Sequence, residues 1–189
     1  MRAGCVTRTR IPVRRKKASI PSDPLSEVVS LSLTARLGVA LHLFAGYCRR
    51  RGLEHPELAR YIEHMWGFAA LPGGGVGFDE WEFGRPALVN TGLGYDYPEG
   101  FEAYLATTGV SQPEFRAALM HTTEVLYGSL WGAADNSGSL RDVEALADIA
   151  LVSGAAWPDL SAFADSRWVG GGWGGRLSPQ QLARWRSAG

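Results

Sequence analysis

The stretch that decides the fold is SQPEFRAALMHTTEVLYGSLWG, residues 111–132. It opens with Ser111-Gln112-Pro113-Glu114. In that order a serine hydroxyl can cap the amides of a first helical turn, proline supplies the fixed φ of that turn, and a glutamate can bond back to the cap. Phe115, Ala118, Leu119, Thr122, Leu126 and Leu130 then recur at three- and four-residue spacing, which places them on one helical face. Met120, Tyr127 and Trp131 make a second apolar stripe, with Glu124 beside it. The pattern predicts a central helix packed on two sides and ended by Gly132.

Working outward, the downstream turn Asp135-Asn136-Ser137-Gly138 leads to a helix that Ser139 with Asp142 is expected to cap. That helix carries Leu140, Val143, Leu146, Ala147, Ala150 and Leu151 and ends at Gly154. A tight turn between two helices makes them neighbours in a bundle. Ser178-Pro179-Gln180-Gln181 caps a last short helix with Leu182 and Trp185. Upstream, a helix over 32–51 places Leu33, Leu37, Ala40, Leu41, Phe44, Tyr47 and Cys48 on a core face. Its other face, Ala35, Gly38, His42 and Ala45, is small enough for close approach by a second element. A further helix starts near Pro56 and ends before Pro72, and a short one spans 99–108. A strand is conceivable at 28–33, where Val29, Leu31 and Leu33 alternate with serines.

The fold class that follows is mainly α: a single compact helical domain of about five or six helices. Two long connecting segments rich in Gly and aromatic residues, 73–98 and 157–175, are expected to wrap onto it. Phe78, Trp81, Phe83, Leu88, Tyr95 and Tyr97 argue that the first of these packs on the body, with one helical turn at 79–83. Long connections often carry function, so these two segments are the first places to look for it.

The zero net charge conceals a division. Residues 1–17 hold Arg2, Arg8, Arg10, Arg14, Arg15, Lys16 and Lys17 and no acid, leaving 12 basic against 19 acidic residues beyond them. The expected domain organisation is a basic, disordered extension over 1–25 and one helical domain over 26–189. Nucleic acid is a conceivable partner only through that arm, which lacks the interleaved aromatics of single-strand binders. No apolar run is long enough to span a bilayer, the nearest (28–47) being interrupted by Arg36 and His42, so no membrane association is expected. With no signal-like apolar core near the N-terminus and only Cys5 and Cys48, the expected setting is the cytoplasm, with reduced thiols. Seventeen arginines against two lysines, with abundant Ala and Gly, point to a GC-rich bacterial coding sequence.

Screening for chemistry excludes more than it finds. The 73–77 glycine run has no Lys-Ser or Lys-Thr after it and is followed by Asp79, Glu80 and Glu82, which repel phosphate. His121-x-x-Glu124 reverses the Glu-x-x-His order of bundle metal sites, and His42, His64, His121 and Glu124 form no ligand pattern, so no metal and no cofactor are expected. Asp135, Ser137 and Ser139 lack the glycine and glutamate of a calcium loop. There is no G-x-S-x-G elbow, and no catalytic residue can be named.

Two candidate surfaces are left. Asp79, Glu80, Trp81 and Glu82 set three carboxylates around an aromatic anchor, a composition suited to a basic protein partner. Met120, His121, Glu124, Tyr127 and Trp131 are a candidate pocket wall. The leading expectation is a non-enzymatic protein-interaction module of inhibitor, immunity or adaptor type, acting on another protein through an acidic surface. The alternative is a small-molecule enzyme or binder with an inter-helix pocket near Glu124, roofed by 73–98.

Overall fold

The computed structural model describes residues 23–71 and 77–189. Most of the expected basic extension and most of the 73–77 glycine run lie outside the described residues. The first helix, α1, Pro24–Val28, begins where an Asx cap meets a proline: the Asp23 carboxylate accepts from the Leu25 amide at 3.2 Å. A domain boundary at 25–26 falls inside this helix. The conceivable strand at 28–33 is instead a helix end, a turn and one isolated antiparallel bridge between Leu31 and Arg167. Ser32 then caps α2, Leu33–Arg50, by accepting from the Ala35 amide.

The remaining elements are α3 (Pro56–Ala70), α4 (Phe78–Phe83), α5 (Ala87–Gly92), α6 (Phe101–Thr108), α7 (Gln112–Leu130), α8 (Asn136–Val152), a single 3₁₀ turn (Leu160–Phe163) and α9 (Pro179–Arg186). The chain is mainly helical, and among the described residues there is no strand. The six helices read from the sequence correspond to α2, α3, α6, α7, α8 and α9. The count of five or six is corrected by three short helices, α1, α4 and α5. The expected turn at 79–83 is α4, whereas α5 gave no sequence signal: Val89, Asn90, Thr91 and Gly92 are poor helix formers. Packing fixes it instead, because Gly92 lies so close to α7 that a Cβ there would sit 2.1 Å from Thr123 Oγ1.

The central helix is α2, not α7. Fourteen of its eighteen residues are buried against nine of nineteen in α7, because α3, α7, α8 and α9 all pack on it. The small face anticipated at Gly38 receives the C-terminal elements: a Cβ at Gly38 would lie 2.7 Å from Phe163, 3.3 Å from Trp66 and 3.4 Å from Trp185. Helix α8 starts four residues earlier than expected. Asp135, not Ser139, is its cap, accepting from the Ser137 and Gly138 amides at 3.0 Å. Ser178 and Gln181 complete the anticipated reciprocal cap of α9. At α7, Ser111 accepts from the Glu114 amide, while the Glu114 carboxylate reaches Arg51 at 2.7 Å.

Ser139 is free for a different task, because Arg36 is fully buried beside it. The guanidinium donates to the carbonyls of Val28 (3.2 Å), Val29 (2.7 Å) and Asn136 (2.7 Å), to Asn136 Oδ1 (2.5 Å) and to Ser139 Oγ (2.9 Å). The guanidinium carbon lies 4.5 Å over the Trp168 ring. Among the described residues no carboxylate pairs with it, and burial lowers the pKa to about 10. A planar fork of five donors is what lets one side chain tie α1, α2 and the start of α8 together. Among the described residues, no helix is long and apolar enough to cross a membrane.

Candidate functional site

The C-terminal ends of α3 and α7 meet the start of α2 and the 173–176 loop around a cleft of about 580 Å³. Its aromatic walls are Phe68 from α3, Phe78 from α4, Trp131 at the end of α7 and Trp173 from the loop. The Phe68 and Trp173 rings lie 6.0 Å apart, and Phe78 meets Trp131 edge to face at 5.8 Å and 83°. The loop is positioned by helix-capping chemistry: the first amides of α2 need acceptors, and Leu33 and Thr34 donate to the carbonyls of Gly172 (2.7 Å) and Trp173 (3.2 Å). The Thr34 hydroxyl adds a second bond to the Trp173 carbonyl at 2.6 Å. Gly174 has φ +86°, and a Cβ there would lie 2.6 Å from Ser32 Oγ, so only glycine allows this approach. Arg176 stands at the end of this wall and is exposed.

The acidic surface expected at Asp79, Glu80, Trp81 and Glu82 is divided by the fold. Trp81 turns inward over Gly67, where a Cβ would be 3.3 Å from its ring. Its indole donates to the His64 carbonyl at 2.7 Å and stacks on the His64 ring at 4.5 Å and 10°. Phe68 and Tyr127 flank it at 5.3 and 6.0 Å. Glu82 accepts from the Tyr127 hydroxyl at 3.0 Å and pairs with Arg85 at 2.6 Å. Asp79 and Glu80 are the exposed pair, and the aromatic presented to solvent is Phe83, 88% exposed. Phe83 and Tyr95 therefore depart from the expectation that the aromatics of 73–98 pack inward.

The second candidate set is also split. Tyr127 is buried and belongs to the Trp81 stack. His121 turns to α8, where its Nδ1 lies 2.9 Å from Asp142 Oδ1. Beside them the Glu124 carboxyl is raised above its ordinary pKa by burial and by Asp142. Met120 is 39% exposed, and Trp131, 73% exposed, is the one member of the five that lines the cleft. The described lining contains neither Glu124 nor a histidine. One helical face thus serves three neighbourhoods, because its first half meets α8 and its end meets α4. His64 stays neutral, its pKa held down to about 4 by burial and by Arg85. Among the described residues, no group of three or more His, Cys, Asp or Glu side chains could hold a metal ion.

Sequence reasoning missed Phe68 and Arg176 as site residues and placed Phe78 and Trp173 only within segments flagged for attention. The available signal was the Trp168-Val-Gly-Gly-Gly-Trp173-Gly-Gly-Arg176 run. Five glycines among two tryptophans and an arginine mark backbone that folds tightly to present large side chains. Compared with models of known protein families, with curated proteins and with solved structures, the chain matches none.

Proposed function

We propose that this is a small-molecule-binding protein whose site is the cleft of Phe68, Phe78, Trp131 and Trp173. The observation that carries the reading is a cavity of about 580 Å³ walled by four aromatic side chains from four separate elements. That volume lies in the range that encloses a drug-sized ligand, and such sites are mostly apolar with few polar groups. Trp131 is the energetic argument: it is 73% exposed, unusually so for a tryptophan on a cleft wall. Covering roughly 150 Å² of apolar ring surface would contribute about 4 kcal/mol. Binding fits this lining better than catalysis does. The described side chains include no carboxylate, imidazole or thiol, and the Thr34 hydroxyl is already donated to a backbone carbonyl. The cytoplasm is the setting this reading adopts, supported by Cys48, a free buried thiol that burial raises to about 12.

The test is fluorescence titration with N-phenyl-1-naphthylamine, a neutral, flat, two-ring probe. The expected result is saturable binding of one probe per chain, weakened at least tenfold by Trp131→Ala and by Trp173→Ala. Absence of saturable binding, or binding that neither substitution weakens, would overturn the proposal.

A specific observation favours a second reading, the interaction module. Phe83 and Trp131 together line a smaller groove of about 290 Å³ with Asp79, Glu82 and Arg85. Such a surface suits a basic protein segment whose side chain sits against exposed rings near Asp79. A stoichiometric basic partner isolated from the native host, and released by Phe83→Asp, would support it. Retention of that partner by the variant would count against it.

A further inference from the structure

We infer that the ligand of the aromatic cleft is an aryl anion: a flat apolar body carrying one oxygen-acid group, which Arg176 receives. This rests on the binding reading above and deepens it. Arg176 is the one charged side chain among the described residues of the lining. The other described arginines near structural seams are engaged: Arg51 by Glu114, Arg85 by Glu82, Arg184 by Asp165, Arg186 by Glu63 and Arg36 by five acceptors. Arg176 makes no ion pair, hydrogen bond or ring contact with a described residue, although it ends a wall whose other members are fixed.

The backbone beside it adds a second, independent observation. Leu33 and Thr34 hold the segment leading into this wall, yet the amides of Gly174, Gly175 and Arg176 donate to no described acceptor. Gly174, Gly175 and Arg176 are exposed at one end of the cavity, so three N–H groups without described protein acceptors remain open there beside an unpaired guanidinium. Acids are distributed the other way. Asp79 and Glu82 lie in the neighbouring groove across Trp131, and Glu82 is already bonded to Tyr127 and Arg85. An anion therefore has one favourable place, the Arg176 end, while the ring body lies between Trp131 and Trp173. A guanidinium recognises the two oxygens of a carboxylate or sulfonate through paired bonds, which a neutral ligand cannot use.

Two probes of nearly the same shape separate this inference from the reading beneath it. They are 8-anilinonaphthalene-1-sulfonate and N-phenyl-1-naphthylamine, which differ by the sulfonate. The expected result is single-site binding of both by the full chain, with the sulfonate at least tenfold tighter. Arg176→Gln should bring the two within threefold, and a far-ultraviolet circular dichroism spectrum matching the wild type's shows that the variant is folded. Raising the salt from about 0.05 to 0.5 M should weaken the sulfonate alone, giving a check that needs no variant. Equal affinity for the two probes, or a sulfonate preference that survives Arg176→Gln, overturns the inference and leaves the cleft standing. Binding of neither probe overturns both.

Discussion

Replacing Arg36 by methionine keeps the apolar stem and removes the five-donor head, so it isolates what that head contributes. Two acceptors then lose their only described partner, the Val29 carbonyl and Asn136 Oδ1. The Val28 carbonyl keeps the Leu31 amide, and the Ser139 hydroxyl keeps its bond to the Asp135 carbonyl at 2.8 Å. Val29 and Asn136 are exposed residues, so water takes over part of what is lost, and two bonds at about 0.5–1.5 kcal/mol each give a loss of about 1–3 kcal/mol. The contact with Trp168 adds about 0.5–2 kcal/mol. Working against these is relief from holding a guanidinium away from water with no carboxylate, the burial that lowers its pKa to about 10. The balance is a net loss of about 1–3 kcal/mol, a measurable share of the roughly 5–15 kcal/mol that stabilises a typical domain. Equilibrium urea unfolding followed by far-ultraviolet circular dichroism measures it. Arg36→Lys should be impaired too, since an ammonium cannot fork between α1 and α8. If Arg36→Met unfolds within 0.5 kcal/mol of the wild type, or is more stable, the desolvation of the charge cancels its bonds and the account of Arg36 as the tie between α1 and α8 is wrong.

Gly38→Ala should destabilise although alanine is the better helix former by about 1 kcal/mol, because its Cβ would stand 2.7 Å from Phe163 and crowd Trp66 and Trp185. An overpacking cost of about 1–3 kcal/mol lowers the melting temperature by a few degrees, and an unchanged or higher value would show that the 3₁₀ turn yields freely. His64 should make folding sensitive to acid. Its folded pKa of about 4 lies below the ordinary 6.5, so between those values the unfolded chain binds a proton that the folded one excludes. The contribution is whole above about pH 6.5 and declines as the pH falls toward 4. His64→Gln should therefore lose less stability than the wild type between pH 7 and 4.5 in paired urea titrations, and equal losses would contradict a buried neutral imidazole.

The long helices were legible because their signals are local: Ser-Pro and His-Pro starts, glycine stops and apolar residues at helical spacing. Ser111, Pro113 and the stripe from Phe115 to Leu130 needed no knowledge of neighbours. Helix α5 was not legible because its cause is remote, the fit of Gly92 against Thr123. Ser139 was misread as a cap for a related reason, since Asp135 offers the same chemistry earlier and only the buried Arg36 explains why a serine stands at 139. The candidate site shows the same division. Trp131 was selected from a helical stripe, but a stripe does not say that its members part company, Tyr127 toward Trp81 and Trp131 toward Phe78. Phe68, Phe78, Trp173 and Arg176 come together only through three elements, α3, α4 and the 173–176 loop, and helical spacing carries no trace of that meeting.

The most direct measurement of the central claim follows the seven indole N–H resonances of the uniformly nitrogen-15-labelled chain during titration with N-phenyl-1-naphthylamine. If the aromatic cleft is the binding site, the Trp131 and Trp173 signals, assigned by Trp→Phe substitution, shift and saturate at one probe per chain. Trp66 and Trp185, buried on the α2 face around Gly38, hold their positions. Trp131 and Trp173 signals that stay in place across the titration would contradict the account.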